Sequence, residues 1–364
     1  MTDTHLAEVF PAGEYLADDA EIRGWSYADF ADIIDRPTQL VSDIVNGKKE
    51  ITRATAAQIA TALGTSPELW LNLQNAYLLH EQNEDPEMAA SLSDVERRSR
   101  LRTIAPIRLL VERGYVRNGS PEEQEQDIRT LLGPNALDGD ADIQFAARRS
   151  NEDESVSTRQ RSWAACVRLK ARDIEASTYD SAALRRLAES LTHRLREPGA
   201  LADFQREFAA VGVRLVYVES FPHSKLDGCA FIDEGKPVIG LSGRGKRLDK
   251  VFFTLMHEVA HLLLGHVGGP DQALIEQLGT EDPQSSTSTA ERAADSLAAD
   301  LILPSGTPEP TGRINRRWID DHAKALDVAP IVLIGRLQNE GILQWTTSLS
   351  RNPPNATEDL EQWT

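Results

Sequence analysis

Two histidines and a glutamate stand close together in the string TLMHEVAHLLLGH, residues 254–266. His257 and His261 are four residues apart, so on a helix they share one face, where two neutral imidazoles can hold two corners of a tetrahedral zinc. Glu258 is rotated away from that face and can reach a water beside the metal rather than the metal itself. The pattern predicts a zinc centre with Glu258 as general base.

A catalytic zinc needs a third protein ligand, and a second helix-like segment offers one. Glu291 and Asp295 are four residues apart at the start of ERAADSLAADLILP, so they share a helical face. We predict that Glu291 ligates the metal. We also predict that Asp295 binds the outer nitrogen of a ligand histidine, with His257 as the first choice. Histidines and carboxylates on buried helices need partners, and a metal would be one.

Other polar residues of the same region are weaker candidates. His266, His322 and Tyr217 could stabilise an oxyanion, but each is explained more simply as a structural or exposed residue. Cys229 could cap the zinc as an inhibitory thiolate, although a buried inert thiol is the simpler interpretation. An extended substrate could add as a strand to GCAFID or to KPVIGL.

The elements that must position these residues follow from the hydrophobic pattern. The segments VRLVYVES, GCAFID and KPVIGL predict three short strands of a small sheet. An apolar helix from Leu248 to Gly265 carries the histidines, a polar loop follows from Gly268 to Thr289, and a helix from Ala290 to Leu303 carries Glu291. A metal can bind only if these two helices meet.

With these segments in place, a family resemblance becomes clear over about residues 200–345. MHEVAHLLLGH followed by ERAADSLAADLILP resembles the ImmA/IrrE family of zinc metallopeptidases. The resemblance implies a gluzincin-like site with one Zn²⁺ per chain, His257, His261 and Glu291 as ligands and Glu258 as base. It also implies a protein substrate, such as a repressor or antitoxin-like protein. Ala293 stands where relatives often have a second glutamate, which is not the ligand.

Residues 14–80 read as short helices separated by tight breaks. Residues 10–80 resemble the Xre-type helix-turn-helix, most closely the HigA-type antitoxin subfamily. That resemblance implies a second helix at about 27–34 and a recognition helix at about 38–46. The residues expected at the major groove are Thr38, Gln39 and Ser42, and those expected at phosphates are Arg36, Lys48, Lys49 and Arg53.

The charge of this segment argues against DNA binding. Asp29, Asp32 and Asp35 surround the turn, and Asp43 lies where relatives often have a basic residue. DNA binding requires local positive charge. Double-stranded DNA is the expected partner, and the alternative is a protein-binding or dimerising module that keeps the fold. A homodimer is expected only by analogy with helix-turn-helix relatives.

Composition sets the wider limits. The chain has 364 residues and a net charge of -18, which argues against unspecific attraction to nucleic acid or to anionic membranes. It lacks an apolar run of about 18 residues, so no membrane span is expected. The N-terminus does not look like a secretory signal. Two cysteines, Cys166 and Cys229, are too few for a disulfide framework, so we expect a cytoplasmic protein.

The predicted fold is mainly α, with an N-terminal all-α helix-turn-helix domain and a small α+β zincin-like (gluzincin) domain. The expected segments are a helix-turn-helix at 1–80, a helical connector or scaffold at 81–200, a metallopeptidase core at 201–310, a C-terminal helical extension at 311–350 and a disordered tail at 351–364.

Three functional hypotheses remain. The chain could bind DNA and cleave a protein partner, or act as a non-catalytic DNA-binding repressor or antitoxin with a metal-binding sensor domain. It could also be a protease whose first domain docks protein. The presence of Glu258 favours the two catalytic hypotheses, because a structural zinc site needs no base.

Overall fold

The computed structural model describes residues 9–137, 157–224, 226–267, 274–276, 289–310 and 312–363, with only the backbone described for 274–276. The chain divides into two compact units, Met1–Arg97 and Arg98–Thr364. Each unit has its own hydrophobic core. Within the described ranges, no helix combines the length and the apolar character that crossing a membrane would require.

The first unit is an all-α bundle in which α2, α4 and α5 begin at capping residues. Ser26 and Asp29 form a reciprocal capping box, and the hydroxyls of Thr52 and Ser66 accept hydrogen bonds from the first turn that follows them. The helices are α1 (Ala12–Ile22), α2 (Tyr27–Ile33), α3 (Thr38–Val45), α4 (Arg53–Leu63), α5 (Pro67–Glu84) and α6 (Pro86–Ile104), of which α6 continues into the second unit.

Helices α2 and α3 occupy the positions expected for a helix-turn-helix pair, which confirms the predicted fold of this unit. Phe30 and Trp70 are fully buried in its core. Gly13 lets α1 approach the end of α3, because a Cβ at this position would lie 2.4 Å from the carbonyl oxygen of Ile44. The recognition helix is therefore packed against both of its neighbours, α1 and α2.

The stretch at residues 81–94 is polar enough to suggest a linker or hinge, but it is helical. Helix α5 extends to Glu84 and α6 starts at Pro86, with a single break at Asp85. The Asp85 carboxylate accepts a hydrogen bond from the amide of Glu87. This stretch is rich in Glu, Gln, Ala, Met and Leu, which favour helix even when few of them are buried. Polarity alone therefore did not indicate a flexible segment.

The second unit combines helices with one sheet. Its further helices are α7 (Ile107–Glu112), α8 (Pro121–Leu132), α9 (Thr158–Arg172), α10 (Ser181–Arg194), α11 (Phe204–Ala210), α12 (Leu248–Leu263), α13 (Thr289–Ile302), α14 (Arg316–Leu326), α15 (Pro330–Asn339) and α16 (Thr357–Leu360). Its strands are β1 (Arg214–Tyr217), β2 (Gly228–Asp233), β3 (Lys236–Leu241) and β4 (Leu274–Glu276). The three predicted strands are present, and β4 adds a fourth.

The sheet has the order β1-β3-β2-β4, with β1 parallel to β3 and β2 antiparallel to both of its neighbours. Side chains alternate between its two faces. One face, which includes Leu215, Ala230 and Ile239, packs in the same core as α12. The other face, which includes Cys229 and Val238, packs with α9. The sheet is therefore covered by helices on both sides, and α12 is fixed against one of them.

The architecture bears on two segment predictions. Residues 81–200 were predicted to form a helical connector or scaffold, and Trp163 of α9 and Leu191 of α10 are fully buried in the cores that enclose the sheet, which agrees with the scaffold alternative. Apolar faces on helices predict burial but not the partner, which here is a sheet encoded further along the chain. The polar loop predicted at Gly268–Thr289 lies mostly outside the described residues, and within it Leu274–Glu276 forms β4.

The predicted disordered tail at 351–364 is also wrong. Helix α16 lies within it, and Leu360 and Trp363 are buried. The indole of Trp363 donates a hydrogen bond of 3.2 Å to the carbonyl oxygen of Leu201. Pro354 lies earlier in the same segment. Its carbonyl oxygen accepts a hydrogen bond from the amide of Leu248, the first residue of α12. The polar composition hid two large apolar residues whose burial orders the segment.

Candidate metal centre

Helix α12 carries the histidines inside the second unit. Apolar residues surround the ligand positions, and Phe252, Leu255 and Val259 are fully buried in the main core. At its start, Asp249 is buried and forms a two-bond ion pair with Arg247 at 2.6 and 3.0 Å. A helix packed this closely holds its side chains in a fixed direction, which a metal site requires.

Helix α13 carries the carboxylates and packs directly against α12. Ala294 and Ala298 of α13 are buried, and their small side chains allow the two helices to approach closely. Glu291 lies in the first turn of α13, one turn before Asp295. The two helices therefore meet, as the sequence predicts.

Three ligand atoms converge between these helices. Glu291 Oε2 lies 3.3 Å from His257 Nε2 and 3.3 Å from His261 Nε2, and the two Nε2 atoms are 2.7 Å apart. All three side chains are buried. Among the described residues, they form the group of donors placed closely enough to hold a metal ion.

The donor set fits zinc. In a tetrahedral site with zinc–ligand bonds of about 2.0–2.1 Å, the ligand atoms are about 3.3 Å apart. Both carboxylate–imidazole distances match that edge, and the distance between the imidazole nitrogens is shorter by about 0.6 Å, which side-chain rotations can correct. Two imidazoles and one carboxylate are also the protein ligands typical of catalytic rather than structural zinc.

The Glu291 carboxylate is ionised at neutral pH, as a ligand must be. Burial opposes its charge, but the hydrogen bonds and charges of His257 and His261 outweigh burial and lower its pKa to about 2.

The outer nitrogen of each histidine faces a different partner. His257 Nδ1 lies 2.9 Å from Asp295 Oδ1, the contact that the four-residue spacing predicts. His261 Nδ1 lies 3.1 Å from His266 Nδ1. The sequence analysis did not predict the second contact, because it considered His266 only as an oxyanion donor. His261 and His266 are five residues apart, a spacing that does not place two residues on the same face of a helix. The signal in the sequence that could have predicted the contact is Gly265, because this residue ends the helix and turns the chain back.

Glu258 directly follows His257 on α12 and is completely buried. Strand β2 passes directly over it, since a Cβ on Gly228 would be 2.8 Å from Glu258 Oε1 and 2.6 Å from Thr254 Cγ2. The absence of a side chain at residue 228 thus leaves the space that the Glu258 carboxylate occupies. The sequence alone did not indicate this role for Gly228.

The other weaker candidates have different surroundings. Cys229 faces α9, on the opposite side of the sheet from Glu258, so the inhibitory-thiolate hypothesis is wrong; burial and the nearby Glu258 charge raise the pKa of its thiol. Tyr217 is the last residue of β1, which lies at the edge of the sheet opposite to β4. His322 stacks on Trp318 in α14 with ring centroids 3.9 Å apart, and its Nδ1 binds the Trp318 carbonyl oxygen.

The strand order also limits strand addition by a substrate. β3 has β1 on one side and β2 on the other, so the hypothesis that KPVIGL could take an extra strand is wrong. β2 has β3 on one side and pairs with β4 at Gly228, Cys229 and Ala230 on the other. Along the described residues, β4 thus covers the part of β2 that lies over Glu258.

The residues expected to contact DNA lie in and around α3. Arg36, Thr38 and Gln39 are exposed, and Ser42 is half-buried. The Gln39 amide donates to Asp43 at 2.7 Å, and Arg36 Nε donates to Gln58 at 2.9 Å. The remaining candidates, Lys48, Lys49 and Arg53, are exposed. Six of the seven predicted contact residues are thus exposed, but two of them, Arg36 and Gln39, are held by neighbouring side chains.

Substituting Gly228→Ala should destabilise the second unit by about 1–3 kcal/mol, because the new methyl group must displace Thr254 and Glu258 in a packed interior. Thermal unfolding of the full chain measures the effect as a lower Tm. The matched control is Gly312→Ala, since a Cβ there meets nothing within 4 Å. An unchanged Tm for Gly228→Ala would contradict the close approach of β2 to α12.

Comparison with known proteins identifies both units. The family model of the IrrE N-terminal-like domain (peptidase M78) matches residues 209–336, and a helix-turn-helix model matches residues 20–70. The helix-turn-helix-type transcriptional regulator YddM of Escherichia coli is 31% identical over 77 residues, which are 21% of this chain and 82% of that protein. A helix-turn-helix-type regulator of Haemophilus influenzae is 35% identical over 69 residues, 19% of this chain and 64% of that protein.

Solved structures match a similar share of the chain. An addiction module antidote protein of the HigA family from Coxiella burnetii is 35% identical, with a TM-score of 0.21, and covers 21% of this chain and 86% of its own. An antidote protein of a plasmid maintenance system from Nostoc punctiforme is 32% identical, with a TM-score of 0.21, and covers 23% of this chain and 97% of its own. The chain belongs to the helix-turn-helix-type regulators through its first unit and carries an IrrE N-terminal-like domain of the peptidase M78 family in its second.

Proposed function

We propose that the chain is a regulator whose second unit is a zinc-dependent peptidase that cleaves a protein partner, such as a repressor or antitoxin-like protein. The observation that carries this proposal is the convergence of His257 Nε2, His261 Nε2 and Glu291 Oε2 in a buried site, with Glu258 buried one residue after His257. The match to the peptidase M78 family supports it.

The reaction would be hydrolysis of a peptide bond. A zinc ion held by His257, His261 and Glu291 would lower the pKa of a water and polarise the scissile carbonyl group. Glu258 would take the proton of that water and pass it to the leaving amine. Burial keeps bulk water away from Glu258, and the packed helix α12 holds it one residue after the ligand His257.

Asp295 would accept a hydrogen bond from the outer nitrogen of His257. This contact fixes the tautomer in which the inner nitrogen has a free electron pair for the metal. A structural zinc site needs no buried carboxylate beside its ligands, so the position of Glu258 favours catalysis over a non-catalytic sensor.

We further propose that the first unit binds double-stranded DNA through α3. The match to a helix-turn-helix family and to regulators of two bacteria supports this. Lys48, Lys49 and Arg53 are exposed after α3 and at the start of α4, where they could contact phosphates. The negative charges of Asp32, Asp35 and Asp43, in and between α2 and α3, would weaken the attraction.

Purified protein should contain about one zinc per chain, because one complete donor set is present among the described residues. His261→Ala and Glu291→Ala should lose the metal, and Glu258→Gln should retain it, since Glu258 is a base rather than a ligand. Elemental analysis measures the content. His322→Ala, which removes a histidine outside the site, should retain zinc. A wild-type chain that contains no zinc and takes up none would exclude the metal site.

The chain should cut a specific partner protein into discrete fragments. Incubation with the products of neighbouring genes, followed by gel electrophoresis and mass spectrometry, would reveal the cleavage site. A chelator should stop the reaction, and Glu258→Gln should slow it by about 10²–10⁴-fold, which is the usual contribution of a general base. If Glu258→Gln cut the same bond at the wild-type rate, the proposed role of Glu258 would be wrong.

Binding to the DNA upstream of the chain's own gene should weaken as salt rises. In mobility-shift titrations at several salt concentrations, Lys48→Ala and Lys49→Ala should each lower the salt slope by about 1, because each removes one phosphate contact. Lys324→Ala in α14 removes the same charge from the second unit and should leave the slope unchanged. Absence of binding at every salt concentration would leave a protein-docking module as the better hypothesis.

A further inference from the structure

The imidazole of His266 lies against His261 on the side away from the metal-binding atoms. The two Nδ1 atoms are 3.1 Å apart, and the rings meet edge to face with centroids 5.2 Å apart. We propose that His266 is a positioning residue, which holds His261 in the tautomer and ring orientation that a metal needs. This inference rests on the proposed zinc site.

The end of α12 determines where His266 lies. Leu264 is the last residue in a right-handed conformation, and Gly265 follows with φ of +67°. This left-handed residue turns the chain so that the His266 amide donates to the His261 carbonyl oxygen at 3.0 Å. Residue 266 is thereby brought back over the turn that carries the ligand. Glycine adopts this backbone conformation without the strain that a Cβ would add.

Hydrogen-bonding chemistry then assigns the roles of the two nitrogens. A neutral histidine that gives the Nε2 electron pair to a metal carries its proton on Nδ1. His261 must therefore donate across the 3.1 Å contact, and His266 must accept through its own Nδ1. His266 would then carry its proton on Nε2. When His266 accepts in this way, the contact favours the tautomer of His261 that can bind the metal through Nε2.

His266 is not itself a member of the ligand group. The donor atoms of His257, His261 and Glu291 lie within 4.8 Å of one another, and His266 is outside this set. Its contact is with Nδ1 of His261, whereas Nε2 faces the other ligands. The residue therefore acts through His261 rather than on a metal or a substrate, which replaces the oxyanion role considered from the sequence.

The two ligand histidines thus have outer partners of different kinds. His257 faces the carboxylate of Asp295, which is more than half exposed, and His261 faces a half-buried imidazole. A carboxylate is the stronger acceptor. The Asp295 contact comes from the neighbouring helix and depends on the α12–α13 packing, whereas the His266 contact is local to the end of α12. His261 can therefore be oriented by α12 and its C-terminal turn alone.

The test is the zinc affinity of the full-length chain, measured by competition with a chromogenic chelator. His266→Ala should weaken affinity by about 10–100-fold, the usual effect of losing an outer partner of a metal ligand. His266→Asn should recover most of that loss, because its side-chain oxygen can take the position of Nδ1 and accept the same hydrogen bond. His322→Ala, outside the site, should bind zinc like the wild type.

Thermal unfolding of the metal-free variants provides the second measurement. We expect similar Tm values for His266→Ala, His266→Asn and the wild type, which would separate ligand positioning from general packing. Wild-type affinity in His266→Ala would overturn the proposal, and so would a His266→Asn variant as weak as His266→Ala. A wild-type chain that binds no zinc would instead overturn the proposed metal site itself, so the two failures are distinguishable.

Discussion

The packing of α12 against α13 is the contact on which the candidate site depends. It buries His257, His261, Glu258 and Glu291 together, and each of these groups would be costly to remove from water without a partner. The helices meet in the register that places Glu291 Oε2 at 3.3 Å from both Nε2 atoms. Small alanines allow the approach, and the sheet supports α12 from its other side. A shift of either helix by one residue would separate the carboxylate from the imidazoles.

What the sequence could predict was set by short, regular spacings. Residues four apart share a helical face, and this single rule placed both histidines, as well as Glu291 and Asp295, on the faces that meet. The contacts it missed arise otherwise. His266 reaches His261 because Gly265 ends the helix. The C-terminal tail is ordered by the burial of Trp363 beside Leu201, 162 residues earlier in the chain, and local composition cannot reveal a partner so distant.

The first unit shows a conflict between fold and charge that a family resemblance alone does not resolve. The helix-turn-helix is present, and α3 exposes polar side chains at its start. Yet the Gln39 amide is already bound to Asp43, and Arg36 is bound to Gln58. A base or phosphate would have to replace these internal hydrogen bonds, so the net gain from such a contact would be small. Affinity for DNA would then depend mainly on the lysines that follow the helix.

The edge of β2 beside Glu258 constrains how an extended peptide could reach the site. A strand can pair with one neighbour on each side, and at Gly228, Cys229 and Ala230 both sides are taken, by β3 and by β4. A peptide that paired with these residues would have to displace β4, a strand of only three residues. Three-residue pairing is weak compared with the six-residue pairing of β2 with β3. The peptide would therefore compete with β4 rather than with the rest of the sheet.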